Sequence, residues 1–433
     1  MLQPGADLVL AIEKPAAGGR MIARHHGEVV LVSGTLPGEV VRARVEKVGR
    51  GVAYAATEEV LEAAPDRRAV TMDPACGGLA YAHIAYERQL ALKGAVIHDA
   101  FTRIARLPLP APVAVASSPE QGYRMRARLH VRAGAIGFFR EGTHDLCDPA
   151  GSGQLLSETS DLLARLSDRL RADCADAVTS IELAENIPAT ERALHLEVAR
   201  PIDAAALASL FESLAVTGVS ASGPDGSEGR AVTGVPFVTD TWEASTGAER
   251  RATVSLRRHT RAFFQANRYL LPGLVARILA LVPSGPVVDL YAGVGLFAVA
   301  LAAAGREDVS AVEADRWTAA DLQANAAPHG TALRTYVMPV EGYLLSRPRG
   351  PVTTMILDPP RTGMSREAVA GVLQVMAPRV VFVSCDVATL ARDVRRLVDA
   401  GYRLESLEGF DLFPNTAHVE AVAVLTTFSV TPR

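Results

Sequence analysis

The side chains best able to do chemistry lie in three short stretches near the end of this 433-residue chain. Arg379–Ser384 is a β-branched, apolar run of the kind that makes a fully buried parallel strand, and Cys385 and Asp386 follow it directly. Val387–Val398 then carries Leu390, Val394 and Leu397 at helical spacing. The thiol therefore sits at the carboxyl end of a strand, ahead of a helix whose positive end is expected to lower its pKa and favour thiolate. A lone cysteine in such a place is more often a small buried hydrophobe. What changes the reading is its company: Asp358-Pro359-Pro360-Arg361-Thr362-Gly363 and Phe413-Pro414-Asn415-Thr416-Ala417-His418-Val419-Glu420. Taken singly, Asp358 reads equally well as a turn cap and Glu420 as a strand-end carboxylate.

The elements that position these groups begin upstream. Pro286–Leu290 reads as a strand, Tyr291-Ala292-Gly293-Val294-Gly295 as a glycine turn, and Leu296–Ala304 as the helix it opens. Glycines there let the backbone approach a ligand and turn sharply. The next strand, Val309–Val312, ends in Glu313, about twenty residues beyond the turn, where an acid can hold both ribose hydroxyls. A nicotinamide site would want a third glycine where Ala298 stands, and nothing later in the chain suits hydride transfer. Asp358-Pro359-Pro360 follows the fourth strand in a way that resembles methyltransferases, and that resemblance favours S-adenosylmethionine.

Ser384–Asp393, Asp358–Gly363 and Phe413–Glu420 together resemble three motifs of the RNA 5-methyluridine methyltransferases. The resemblance implies that Cys385 adds to C6 of uracil, that Glu420 removes the C5 proton and that Asp358 holds the uracil edge. Phe263-Phe264-Gln265-Ala266-Asn267 resembles the entrance to the family's catalytic domain, placing Gln265 at the cofactor with Tyr291, Gly293, Gly295, Glu313 and Asp358. Asp386-Val387 stands where the family has Asn-Pro; the extra carboxylate should raise the pKa of the nucleophile unless it is turned away as a helix cap. Pro339, with Glu341 nearby, replaces the acid or amide that touches adenine. The RNA cytosine-5 methyltransferases are a rival, but they carry Pro-Cys where this chain has Pro359-Pro360. A catalytically inert RNA-binding homologue is disfavoured by the joint presence of Cys385, Asp358, Glu420 and Gln265. In many relatives a four-iron cluster is held by four cysteines around Cys76-Gly77-Gly78; here Val70 and Leu79 take two of the places and only Cys76 and Cys147 remain, so the cluster is expected to be absent, with no metal site and the glycine pair kept as a turn.

The implied fold class is α/β: a doubly wound S-adenosylmethionine-dependent methyltransferase domain (246–433) preceded by a TRAM-like barrel of the oligonucleotide-binding type (1–62) and a central β-rich domain (63–245). Alternating strands at Asp7–Ile12, Glu28–Val32 and Val40–Val45 support the barrel. Residues 90–106 read as an amphipathic helix with Leu92, Val96, Ala100 and Ile104 on one face, ended by Pro108, Pro110 and Pro112; by resemblance, segment 88–118 packs on the catalytic domain. The net charge of −4 carries no global nucleic-acid signal, so RNA contacts must be local. Two candidates exist: the arginine face of Tyr123–Arg132, and the block Arg250, Arg251, Arg257, Arg258, Arg261 and Arg268, which is free of acids and is the better phosphate surface. Gly223–Gly229 reads as a mobile loop. Four scattered cysteines argue against a disulfide scaffold and for the reducing cytoplasm, and the longest apolar run, Leu290–Ala304, is too short for a membrane span. The chain is expected to act as a monomer on a flipped-out uridine of RNA, ribosomal rather than transfer RNA.

Overall fold

The computed structural model describes residues 2–109, 112–224, 228–245, 251–346 and 350–427. Arg250, Pro110, and Asp225 and Gly226 of the glycine-rich stretch lie outside the described residues.

Strands β1 (Asp7–Pro15), β2 (Met21–His25), β3 (Glu28–Ser33), β4 (Val40–Gly49) and β5 (Val52–Glu62) close a barrel in the order β1-β2-β3-β5-β4. Period-two alternation forms it: along β1, Leu8, Leu10 and Ile12 point inward while Asp7, Val9 and Ala11 face water. Helix α1 (Tyr86–Ala100) follows and runs into a π-helical turn, Phe101–Ala105, closed by Arg106 in a left-handed conformation. Along α1 the buried apolar face runs through Leu92, Ile97 and Ala100, and the π turn that follows buries Phe101 and Ala105, so Ile104, expected inside, is 41% exposed. The short strand β6 (Val115–Ala116) then joins the edge of the distant catalytic sheet.

A second sheet is built from β7 (Arg126–Arg132), β8 (Ala135–Phe139), β9 (Leu146–Cys147), β10 (Val178–Glu185), β11 (Arg192–Val198), β12 (Gly218–Ser222) and β13 (Arg230–Gly234). Helices α2 (Ser157–Asp173) and α3 (Ala204–Ser209) cover it through Leu162, Leu163, Leu166, Leu170 and Leu207. Cys76 and Cys147 are joined by a disulfide beneath this sheet, with Leu79 in the same core. The scatter of the cysteines argued against a disulfide scaffold and left this single bond unforeseen; the two residues are 71 apart in sequence, and only tertiary structure brings them together.

The hairpin β14 (Phe237–Ser245) and β15 (Arg251–His259) straddles the division drawn at 245/246. Its Trp242, Ala244, Val254 and Leu256 share a core with helices α4 (Leu271–Leu281) and α5 (Leu296–Ala303). The last sheet contains β16 (Val287–Leu290), β17 (Val309–Glu313), β18 (Leu333–Val337), β19 (Thr354–Leu357), β20 (Arg379–Ser384), β21 (Tyr402–Phe410) and β22 (Glu420–Thr427), in the order β18-β17-β16-β19-β20-β22-β21-β6. β16 to β20 are mutually parallel, every residue of β16 and β19 is buried, and separate cores lie on the two faces, as a doubly wound sheet requires. Among the helices between strands are α6 (Arg316–Ala326), α7 (Val340–Leu345), α8 (Arg366–Val375) and α9 (Val387–Asp399). Strand order reverses between β16 and β19, and ligands of such sheets bind at the carboxyl ends there.

Candidate active site

Cys385 leaves β20 one residue after Ser384, which pairs with Ala421 of the antiparallel β22. One step further along each strand come Cys385 and Glu420, so the sheet register sets thiol and carboxyl across from each other. Asp358 follows Leu357, the partner of Phe382 on β20, and completes a row at the same end of the sheet. Asp386 caps α9: its Oδ1 accepts the Thr389 N–H at 2.8 Å, which turns the carboxylate into the helix and away from the sulfur. The Asp-for-Asn departure is thereby absorbed locally.

The free site does not favour thiolate. Burial first, and then the neighbouring Glu420, push the Cys385 thiol up to about 11, against the opposing pull of the Arg361 guanidinium. This overturns the expectation built on the helix end alone, because desolvation and a buried carboxyl outweigh a partial dipole charge. Glu420 is itself held well above the carboxylate range by burial and by Asp358. Asp358 is raised to about 7 by burial and by Glu313, and Asp289 is pushed well up by burial and by Asp358. Four carboxyls thus crowd one cleft, and such crowding keeps protons in place.

The glycine turn has the shape of a cradle. Gly295, at φ +97°, could not carry a Cβ, which would fall 2.7 Å from Val299 and 2.9 Å from Leu322. Gly293, at φ +58°, has nothing nearer to its Cβ position than Thr318 at 4.0 Å, so the backbone there is open to a ligand. Tyr291 also takes positive φ, 62°. Glu313 Oε2 accepts the Gly293 N–H at 3.0 Å, and its Oε1 accepts those of Ala314 and Asp315 at 2.8 Å, which fixes the carboxylate beside the turn. Gln265 is buried between Phe264 and Ala266. Pro339 precedes α7, and one oxygen of Glu341 accepts the Ser365 hydroxyl at 2.6 Å.

Motif reading passed over three residues. Arg361, inside a quoted motif but without a role, is the cation closest in effect to the thiol and to Glu420. Asp289 accepts the Ala298 N–H at 3.1 Å with Oδ2, while among the described residues its buried Oδ1 has no hydrogen-bond partner. An acid inside the apolar Val287–Leu290 run was the available signal. Asn267 donates to Ser118 Oγ at 2.8 Å and to the Leu412 carbonyl at 3.2 Å, tying the Gln265 segment to the loop before Glu420.

The arginine block is not a phosphate surface as a whole. Arg258 is 1% exposed and paired with Asp240 at 2.8 Å, and Arg268 is buried against Glu185. Arg257 is half exposed and reaches Asp321 at 3.5 Å, while Arg261 lies over the Trp317 ring. On β7 the alternation is as read: Ala127, Leu129 and Val131 are buried, Arg128 and Arg132 exposed. His130 stacks on Phe139 there at 3.5 Å. Among the described residues, no group of three or more His, Cys, Asp or Glu side chains is placed to hold a metal.

Residues 349–428 match the family of tRNA (uracil-5-)-methyltransferases, and residues 3–56 match the TRAM domain. The chain is 33% identical to the 23S rRNA (uracil(1939)-C(5))-methyltransferase RlmD of Pseudomonas putida, over 96% of this chain and 92% of that protein. It is 30% identical to an uncharacterized RNA methyltransferase of Thermosynechococcus vestitus, over 98% of this chain and 99% of that one. Its fold is similar to that of the Pyrococcus abyssi tRNA (uracil-54, C5)-methyltransferase in complex with S-adenosyl-L-homocysteine, with a TM-score of 0.72 at 23% identity, covering 97% of this chain and 100% of that one. Likeness of this extent, in sequence and along nearly the full length of RlmD, shows that the chain belongs to the RNA uracil-C5 methyltransferase family.

Proposed function

We propose that the chain methylates C5 of a uridine in ribosomal RNA, with Cys385 as nucleophile and Glu420 as base. The observation that carries this is the sheet register, which faces a thiol and a carboxyl across adjacent strand ends with Asp358 alongside. Ribosomal RNA is preferred to transfer RNA because the RlmD relatives align at 33% identity over nearly the whole chain, TRAM domain included. Both reactive groups lie at the ends of interior strands, Glu420 buried and Cys385 partly so, and the uridine must leave its helix to reach them.

C5 of uracil is a poor nucleophile. Addition of Cys385 Sγ to C6, with the thiol proton passing to water, pushes the ring electrons toward O4 and makes C5 electron-rich enough to take up a methyl group. Glu420 then removes the C5 proton; that electron pair re-forms the C5–C6 double bond and expels the Cys385 thiolate. Asp358, titrating near 7, can offer the uracil edge a donor or an acceptor. The methyl comes from S-adenosylmethionine, which supplies an electrophilic carbon when bound. The cradle fits it: the open backbone at Gly293, the turn at Tyr291 and Gly295, Glu313 for the ribose, Gln265 and Asp358 at its flank, and the unpartnered Asp289 Oδ1 to face its amino acid portion.

RNA extracted from cells with and without the gene, mapped for 5-methyluridine, identifies the target; loss of a modification in ribosomal RNA is expected. Purified Cys385→Ala should transfer no methyl group, and Glu420→Gln should accumulate a covalent protein–RNA adduct carrying the donor's methyl label. Methylation by Cys385→Ala, or wild-type turnover by Glu420→Gln, would refute the assignment.

A further inference from the structure

The loop from Asp411 to Val419 delivers Glu420, and its anchors come from the other end of the chain. Lys93 on α1 and Asp411 form an ion pair although 318 residues apart in sequence, and neither side chain has any solvent exposure. Lys93 Nζ also donates to the Phe413 carbonyl at 3.0 Å. One helical turn earlier, Gln89 exchanges two hydrogen bonds with Asn415: its Nε2 donates to Oδ1 at 3.0 Å and its Oε1 accepts the Asn415 N–H at 2.9 Å. Arg68 donates to the same Oδ1 at 2.8 Å, and the Asn415 backbone is held at φ 64°. The barrel touches the loop as well, since a Cβ on Gly19 would lie 3.3 Å from that of Ala417.

A fully buried ion pair adds little stability over apolar side chains of the same volume, because desolvating both charges offsets their attraction. Its yield is a single geometry, and here that geometry belongs to the loop in front of the proposed base. We propose that Lys93 is a positioning residue for the proton-removal step: through Asp411 and the Phe413 carbonyl it holds the 411–419 loop so that Glu420 faces the ring carbon losing its proton. The proposal rests on the reading of Glu420 as base. Gln89 and Arg68, acting on Asn415, complete the brace.

The test compares wild type, Glu420→Gln, Lys93→Met and the double variant Lys93→Met/Asp411→Leu, each given RNA and methyl-labelled S-adenosylmethionine. The readout is the ratio of methylated covalent adduct to released methylated RNA, which does not depend on how much of the protein is folded. If Lys93 positions the base, Lys93→Met turns over on the order of 100-fold more slowly and its adduct ratio rises toward that of Glu420→Gln. A structural role alone would lower active protein and leave the ratio unchanged. The double variant leaves no uncompensated charge but also lacks the bond to the Phe413 carbonyl, so it should trap adduct too, and it decides the matter if Lys93→Met does not fold. Wild-type ratios in the Lys93 variants, with adduct in Glu420→Gln, overturn the positioning role. Absence of adduct in Glu420→Gln removes the reading beneath it.

Discussion

Two adjacent arginines on β15 separate structural from exposed charge, and Arg258→Met against Arg257→Gln makes the distinction measurable. Arg258 is 1% exposed; its Nε binds Asp240 at 2.8 Å, its Nη2 donates to the Glu185 carbonyl, and its guanidinium lies 4.3 Å from the centre of the Phe264 ring. Removing it leaves Asp240, wholly buried, with the Ile187 N–H at 2.7 Å as its remaining hydrogen bond among the described residues. Breaking a buried pair from one side costs about 3–5 kcal/mol. Arg257 is 45% exposed and 3.5 Å from Asp321, which keeps the His259 N–H at 2.6 Å when the arginine is replaced, so Arg257→Gln should cost less than Arg258→Met. Urea unfolding followed by intrinsic fluorescence suits the comparison, because the chain has two tryptophans and both flank this junction: Trp242 on β14, and Trp317 stacked on His259. Arg258→Met should move the transition strongly and leave the salt dependence of RNA affinity untouched. A stable Arg258→Met whose salt slope falls by about 1 would refute the reasoning and return Arg258 to the phosphate surface.

Two further outcomes follow from the cysteines. Reducing the Cys76–Cys147 bond, or replacing both with serine, should lower stability by about 2–4 kcal/mol in thermal or urea melts, and anaerobically purified protein should lack iron; a melt indifferent to reductant, or a full cluster's iron per chain, refutes this. With Cys174→Ser as background, alkylation of Cys385 by iodoacetamide should keep rising with pH past 10, given a thiol at about 11. Glu420→Gln should bring the midpoint down and Arg361→Gln should raise it, whereas a plateau near pH 8 in the unliganded protein would show an activated thiolate.

The parts legible in the sequence were those whose signal is local. Period two along Asp7–Ile12 and the unbroken apolar run of Arg379–Ser384 specify barrel and parallel strands whatever surrounds them, and Gly295 announces a turn that no other residue could make. Cys385, Asp358 and Glu420 were legible as motifs, and the sheet register then set them side by side. What was missed depends on partners far away in sequence. Arg258 reads as a surface charge until Asp240 and Glu185 close around it. The thiol was judged by the helix after it, whereas Glu420, 35 positions on, and the burial shared with it decide its protonation. Ile104 failed for a nearer reason: a π turn broke the period on which its assignment stood.

The charge balance of the cleft explains why such a site can afford a protonated nucleophile. Burial and their mutual repulsion raise the pKa of Asp289, Asp358 and Glu420, and Arg361 is the cation that opposes the shift at Glu420. In the free protein that arrangement keeps the thiol neutral, so it resists stray electrophiles in solution. A cationic ligand in the cleft would oppose these shifts, since a positive charge stabilises the carboxylate form of each acid near it. A positive charge beside Glu420 would favour loss of its proton, the state its proposed role requires. The Asp358 carboxyl, near 7, sits where a small change in surrounding charge moves it between acid and carboxylate.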